Sequence, residues 1–365
     1  MNEALSNLAD DFFKNSLDSS PTSAIMRGYK EYFDQIEELT ETRFDQNLKD
    51  LDKFEKRLKE IDFNNLSNKE KVTYGMLEYA FGSNKDSLLD KSWEFGAGVS
   101  GFTGYLIDYN QQMFIPDLES ADLLLKRLEL YNQFFNQVSL VQKKGLNENR
   151  VATERNLLRT IDQIESYLKT SLEEDPLLLV NFSPEVSEQD VSSWKNKAKL
   201  IIESHVRPSV NSYLEQLKSE HLPKGRSDTN PGIMWIEGGD DIYLRSLKKF
   251  TGNKDITVKE VHETGLSEIK RLKKEFFEIG KNVFADVTTP EEVIYKMQTE
   301  PSMRFESKEQ MLQMAEDIIK RAYEPLADWF TVFPKAPCNV LPVPEESEKH
   351  APPAYYYSPL PDGSR

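Results

Sequence analysis

Apolar side chains recur at steps of three and four residues over long windows of the sequence. The spacing is regular in the windows 44–61, 124–141 and 311–333, and the last of these keeps one apolar side for about six turns. Such steps place apolar residues along one side of an α-helix, where they pack on a neighbouring helix. Strand-like segments are few and short, at 233–236, 340–343 and 354–357. The sequence therefore predicts a mainly α fold, a multi-helix array with a few short strands near its C-terminal end.

Helix-start patterns agree with this prediction. The segments Ser67–Glu70, Thr257–Glu260 and Ser307–Gln310 fit the capping box, in which a hydroxyl and the side chain three residues later each accept a hydrogen bond from the other's backbone N–H. Thr289 is followed by Pro290, and proline is favoured at the first helical position because its missing N–H would have no partner there. Four helices are therefore expected to begin at these positions.

The distribution of proline suggests where the chain divides. A length of 365 residues favours about two domains as a prior. Eight of the 18 prolines lie between Pro334 and Pro361, and the chain stops shortly after, at a turn-forming Asp362–Gly363 pair. We therefore predict a helical domain at 1–332, with an internal boundary near 222–240, and a proline-rich lead-in at 333–365. Because the C-terminus falls within this turn-forming pattern, the chain is predicted to be a fragment of a longer protein.

Charge and composition exclude several classes of protein. The formal net charge is −16, so the chain repels phosphate backbones and anionic lipid, and neither nucleic acid nor membrane is an expected partner. The single cysteine, Cys338, excludes a disulfide framework and thiolate metal clusters. The acidic N-terminal segment does not resemble a secretion signal, and no run of 18 apolar residues is present. We therefore expect a cytoplasmic location.

Two motifs favour a structural interpretation over a catalytic one. Gly96, Gly98 and Gly101 form a G-x-G-x-x-G pattern, but the preceding 90–94 is a poor buried strand, so a helix-to-helix loop is favoured over a dinucleotide site. His262–Glu263 begins like the zinc motif H-E-x-x-H, but its fifth position is Leu266. His262 is therefore predicted to hydrogen-bond locally on a capped helix, with lining a cleft as the alternative.

The remaining candidates are equally limited. No G-x-S-x-G nucleophile motif is present, and Cys338 lies between prolines with nothing in the sequence to lower its thiol pKa. The run Gly238–Asp241 is either a loop that binds an anion or backbone, or a turn that caps the next helix with aspartates at its N-terminus. From the residues alone, no catalytic constellation is predicted.

Several segments, in order along the whole chain, resemble a bacterial family known as domain of unknown function 885. They are Leu8–Phe13, Ser20–Thr22, Gly28, Leu222–Pro223, Gly238–Tyr243, Ile256–Leu266, Phe333–Pro334, Val340–Pro344, Pro353–Tyr356 and Asp362–Arg365. Members of that family are regarded as zincin-type metallopeptidases of largely helical fold. The resemblance therefore implies a zincin-peptidase-like helical array and peptide hydrolysis dependent on zinc.

The resemblance also implies what this chain lacks. In the family, the H-E-x-x-H helix and a later glutamate ligand follow the segment that matches Asp362–Arg365, so no position here matches a metal ligand or catalytic residue. Neither zinc nor another cofactor is expected in this chain, although zinc is implied for the full-length member. The residues expected to contribute to substrate binding are Gly238, Gly239, His262, Tyr355 and Tyr356.

Two functions of different classes remain open. In the first, the chain is the N-terminal portion of a zinc-dependent carboxypeptidase or oligopeptidase, inactive alone because the metal motif is missing. In the second, it is a non-catalytic helical binding or scaffold protein. A peptide substrate is expected only for the completed enzyme, and the unmatched apolar stripe near the C-terminal end predicts self-association or pairing with a C-terminal catalytic segment.

Overall fold

The computed structural model describes residues 2–96, 110, 113–333, 337–343 and 354–356. It confirms the prediction of a mainly α protein, and its one sheet in this part of the chain has two strands of two residues each. The chain forms two compact units, Met1–Lys254 and Asp255–Arg365, called here the first and second units. The proposed lead-in at 333–365 falls within the second unit, and its role stays a prediction.

The first unit is built mainly from helices. Its helices are α1 (Glu3–Ser19), α2 (Pro21–Met26), α3 (Glu41–Lys59), α4 (Asn68–Asp90), α5 (Leu118–Glu129), α6 (Tyr131–Asn147), α7 (Glu154–Lys169), α8 (Glu188–Ile201), α9 (Arg207–Gln216) and α10 (Gly239–Thr251). Strands β1 (Phe114–Ile115) and β2 (Asn181–Phe182) pair in parallel, with Phe114 opposite Asn181. Two hydrophobic clusters hold these elements together.

The larger hydrophobic cluster lies mainly among α5 to α9. Phe134 and Phe135 lie about one helical turn after Tyr131 on α6, and all three are almost completely buried, which explains the apolar spacing seen in this part of the sequence. A second cluster joins α1, α3 and α4 through residues such as Leu8 and Phe81. Burying side chains of this size stabilises the fold by about 1.5–3 kcal/mol each relative to leaving them in water.

Helices α8 and α9 form one continuous helical segment. One π-helical turn lies between them, and a second follows α9. The turns cover Ile202–Val206 and Leu217–His221. A π-turn inserts an extra residue into the helical ladder, so it rotates the side chains that follow. The second of these turns ends at His221, whose side chain is buried.

The second unit contains α11 (Val258–Val283), α12 (Pro290–Thr299), α13 (Lys308–Tyr323) and α14 (Leu326–Trp329). Helices α11 and α12 pack closely at Gly280, where a Cβ would lie 2.5 Å from Val293 Cγ2. Among the described residues of this unit, only Gly280, Val287 and Val293 are buried. The apolar side chains of α11 and α13 are therefore largely exposed.

The predicted strands are not found where the sequence placed them. Ile233–Trp235 forms a 3₁₀ turn, because the chain folds back at once to begin α10. Residues 340–343 and 354–356 carry no strand, and residue 357 lies outside the described residues. Short apolar runs form strands only where a partner strand lies beside them, as β1 does for β2.

The capping box at the start of α4 produces a testable pH effect. Ser67 Oγ accepts from the Glu70 N–H, and the Glu70 carboxylate accepts from the Ser67 hydroxyl and N–H and from the Asn2 N–H. These donors lower the pKa of Glu70 to about 2, the Ser67 hydroxyl contributing most. Because the folded pKa lies below the unfolded value, the stabilisation is present above about pH 4.3 and is lost as pH falls through the folded pKa.

We therefore expect carboxyl NMR to give a Glu70 midpoint near pH 2 in the native chain. In Ser67→Ala the midpoint should move upward, and the helix should lose about 1 kcal/mol of stability with its N-cap. A native midpoint that Ser67→Ala leaves unchanged would show that the reciprocal hydrogen bonds do not form.

Candidate functional site

The structure divides the five predicted substrate-binding residues between the two units. Gly238 and Gly239 open α10 in the first unit. His262 lies on α11 in the second unit and is exposed to solvent. Tyr355 and Tyr356 are also in the second unit, with 46% and 71% of their surface exposed. Their role in substrate binding stays a prediction, and each group is described by itself.

Gly238 and Gly239 are required by a tight turn. Gly238 caps α10 with a φ of 70°, in the left-handed region that favours glycine. A Cβ on Gly239 would lie 1.8 Å from the carbonyl oxygen of Ile233, so no larger residue fits. Asp240 and Asp241 occupy the first turn, where negative charge is favourable to the helix but repels an anionic ligand. The geometry favours the capping-turn interpretation over an anion-binding loop.

Arg150 holds this turn against the end of α4. Its Nη1 donates to the Glu237 carbonyl oxygen at 2.8 Å, and its Nη2 donates to the Asp90 carbonyl oxygen at 2.5 Å. Its Nε lies 2.8 Å from Glu94 Oε2, and the guanidinium lies over the Phe95 ring at 5.1 Å from the ring centre. We call Arg150, Glu94 and the carbonyl groups of Glu237 and Asp90 the Arg150 clamp. One guanidinium therefore contacts three segments: the end of α4, the 92–94 turn and the turn before α10.

A small void lies beside the clamp. It leaves no room for a water molecule and is lined by Glu94, Phe95, Gln142, Arg150, Val151, Ala152, Leu157 and His221. The imidazole Nε2 of His221 is buried without a hydrogen-bond partner among the described residues, while its Nδ1 lies 3.4 Å from the Gln216 carbonyl oxygen. Ligand pockets usually exceed about 300 Å³. The void is below that size, so the cluster acts as a structural clamp rather than as a ligand pocket.

Sequence reasoning did not identify the Arg150 clamp. Glu94 and Arg150 belong to no recognisable motif, and their side chains become neighbours only through packing of α6 against the 92–94 turn. The close approach is visible at Gly145, where a Cβ would lie 2.3 Å from the Glu94 carbonyl oxygen. A glycine inside an otherwise regular helix was the one local feature that pointed to this contact.

The other sequence candidates are placed as follows. Gly96 is exposed, while Gly98 and Gly101 lie outside the described residues. Cys338 is a free thiol of intermediate exposure. Within the described residues, no three His, Cys, Asp or Glu side chains come together as a possible metal site. In the same part of the chain, no helix combines the length and the apolar character needed to cross a bilayer.

The second unit presents one further candidate, an apolar stripe on α11. Leu266, Ile269 and Leu272 follow each other at three-residue steps and are 56%, 54% and 50% exposed. We call these three residues the α11 apolar face. Soluble proteins rarely leave a contiguous stripe of large apolar side chains in water unless it binds something. The face is therefore a candidate interaction surface.

Two solved structures have a similar fold. A "putative lipoprotein" from Colwellia psychrerythraea matches with a TM-score of 0.82 and 18% identity, over 99% of this chain and 66% of that chain. A "putative lipoprotein of unknown function" from Shewanella oneidensis matches with a TM-score of 0.60 and 16% identity, over 93% of this chain and 61% of its own length. At these identities the likeness concerns the fold alone. The present chain spans less than two thirds of either protein.

Comparison with curated proteins gives no match. The family model described as "Bacterial protein of unknown function (DUF885)" matches residues 21–365, which is nearly the whole chain. The match covers the Gly238–Gly239 turn, the Arg150 clamp and the α11 apolar face alike. The chain therefore belongs to the DUF885 family of bacterial proteins.

Proposed function

We propose that this chain is the helical, non-catalytic portion of a zinc-dependent peptide hydrolase of the carboxypeptidase or oligopeptidase kind. It would be inactive until a metal-carrying segment joins it. The hydrolase activity in this proposal rests on the resemblance of the family to zincin-type metallopeptidases. The structural observation that supports a further segment is the α11 apolar face.

The α11 apolar face has the pattern of a helix packed on one side. Its residues repeat at helical spacing, yet half or more of each side chain is open to solvent. On α13, Met311, Met314 and Ile318 are between 45% and 49% exposed. Covering such side chains would contribute about 25 cal/mol for each Å² of apolar surface removed from water. Because the solved relatives are longer than this chain, we assign the covering role to a further segment of the same protein.

Neither the sequence motif nor the described residues of this chain fit a zinc site of the zincin type. The sequence contains no H-E-x-x-H, since Leu266 stands where the second histidine would be needed, and the described residues bring no three ligands together. A zinc site of the zincin type uses two histidines on one helix face and a third ligand from elsewhere. In this proposal, all three ligands come from the joining segment.

A helical binding protein without catalysis is the second candidate. One observation favours it, a groove along α8 that is large enough for a small ligand and is described below. The two candidates differ in what they require. The hydrolase needs a further, metal-carrying segment to act, whereas the binding protein needs none. A cytoplasmic location belongs to either proposal and is tested by cell fractionation.

The purified chain is expected to hold no stoichiometric zinc and to hydrolyse no peptide, because its sequence lacks H-E-x-x-H and its described residues bring no set of metal ligands together. Elemental analysis after dialysis and a peptide-library assay measure the two properties, and His262→Ala should change neither. About one tightly held zinc per chain that disappears in His262→Ala would contradict the proposal and assign a metal site to α11.

A further inference from the structure

An open groove runs along one side of α8 in the first unit. Its volume is about 410 Å³, within the range of about 300–1,000 Å³ that is typical of sites for small ligands. The helix contributes Glu188, Val191, Ser192, Lys195, Asn196 and Lys199, and the chain entering the helix contributes Phe182, Ser183 and Val186. The helical members lie three, four and seven residues apart, so they share one side of α8.

The floor of the groove is apolar and firmly held. The Phe182 ring lies edge-on against Trp194, with 5.3 Å between ring centres. Trp194 is buried, and its Nε1 donates to the Ala121 carbonyl oxygen at 2.7 Å. Val186 and Val191 are half-buried beside Phe182. An apolar side chain of a ligand would therefore meet a preformed surface.

Side chains of opposite charge line the groove. Glu188 is the first residue of α8, and Lys195 follows it by seven residues. Two helical turns separate them by about 10.5 Å along the axis. No ion pair is recorded for either side chain within the described part of the chain, whereas Lys199 is already paired with Glu173. Glu188 and Lys195 therefore remain to bind a ligand's charges.

Phe182 of β2 and Ser183, which follows it, both line the same groove. Asn181 and Ser183 donate their N–H groups to β1, at the Met113 and Ile115 carbonyl oxygens. Because backbone groups alternate along a strand, those of Phe182 point to the opposite edge. In the described chain the sheet has only the two strands β1 and β2, so this edge of β2 has no strand partner. Extended peptides bind to open edges of this kind.

We propose that this groove binds a short peptide of about three residues with free amino and carboxyl termini. An extended chain of three residues spans about 10 Å, which matches the axial separation of Glu188 and Lys195. The peptide's ammonium group lies at Glu188, its carboxylate at Lys195, and an apolar side chain on Phe182, Val186 and Val191. This inference does not depend on hydrolysis, because binding is measured on the chain alone.

Trileucine is the test ligand, and calorimetry measures its binding. A charge-assisted hydrogen bond contributes about 1.5–3 kcal/mol, so losing one should weaken binding by about tenfold or more. N-acetylated or C-amidated trileucine should therefore bind correspondingly more weakly. Lys195→Gln should remove the preference for the free carboxylate, and Glu188→Gln should remove the preference for the free amine.

Lys197→Gln is the matched control. It lies on the same helix, is 60% exposed, and faces Asp122 rather than the groove, so trileucine binding should not change. Equal affinity for free and blocked trileucine would overturn the proposal. So would decanoate binding as tightly as trileucine with no effect of Glu188→Gln, because the groove would then recognise only an apolar carboxylate. Absence of hydrolysis by the chain affects none of these outcomes.

Discussion

Replacing Arg150 by alanine is expected to lower the free energy of unfolding by about 3–5 kcal/mol, the usual cost of removing one partner from a buried ion pair. Glu94 would keep a buried carboxylate with its closest cation removed. The carbonyl oxygens of Glu237 and Asp90 would lose their guanidinium donors at the same time. Urea denaturation followed by circular dichroism measures the change.

Two variants separate the geometry of this contact from its charge. Arg150→Lys keeps the charge but lacks the planar fork that reaches three segments, so it should recover only a small part of the stability. Arg155→Ala is the matched control, because its pair with Asp228 is exposed at 64% and 44% and such pairs contribute about 0–1 kcal/mol. An Arg150→Ala variant as stable as Arg155→Ala would contradict the clamp.

The substitution of alanine for glycine is expected to have opposite effects at two helical positions. At Gly145 on α6, a Cβ would lie 2.3 Å from the Glu94 carbonyl oxygen. Because that oxygen belongs to the backbone, an added methyl group would force the two segments apart. We expect a loss of about 1–3 kcal/mol or more from overpacking. At Gly82 on α4, nothing lies within 4 Å of the added carbon, and alanine should stabilise the helix by up to about 1 kcal/mol.

This pair of variants tests packing against propensity. Helix propensity alone predicts that both substitutions stabilise the chain by similar amounts. Thermal unfolding should instead show a lower midpoint for Gly145→Ala and an equal or higher midpoint for Gly82→Ala. A stabilised Gly145→Ala would show that α6 does not approach the 92–94 turn as closely as described.

Local sequence patterns predicted the helices well, and helix ends best. The capping boxes at Ser67 and Thr257 form as expected, and Pro290 is the first residue of α12, as predicted, with Thr289 as its cap. At Ser307 the hydroxyl accepts from the Gln310 N–H, but the Gln310 side chain accepts from Glu306 instead of returning to the cap. Capping depends on residues three apart, so the sequence carries most of the information needed.

Periodicity was less informative about where one helix gives way to the next. The window 124–141 spans the junction between α5 and α6 at Leu130, because the apolar spacing continues across the break. The window 311–333 continues past α13 into α14, although Pro325 separates the two. Apolar spacing shows which side of a helix is apolar, and at α5 and α6 both helices turn that side to the same core.

The candidate sites depended on contacts between distant residues, which local patterns do not contain. Arg150 reaches Glu94 and Glu237, which are 56 and 87 residues away in sequence. The groove is formed by one side of α8 and the chain that enters this helix. Its charged side chains could therefore be recognised as a site only once the structure showed the groove between them. Gly238 and Gly239 lie in a tight turn that requires glycine, and their role in substrate binding stays a prediction.

We propose that a further segment of the same protein covers the α11 apolar face and supplies the metal site. The direct measurement is zinc content and peptide hydrolysis of the chain expressed alone and together with the polypeptide encoded directly downstream of Arg365. We expect a complex with one zinc and measurable hydrolysis, lost in Ile269→Lys but kept in Val72→Lys, which alters an equally exposed apolar residue on α4. A downstream sequence without H-E-x-x-H, or a complex that Ile269→Lys leaves intact, would contradict the account.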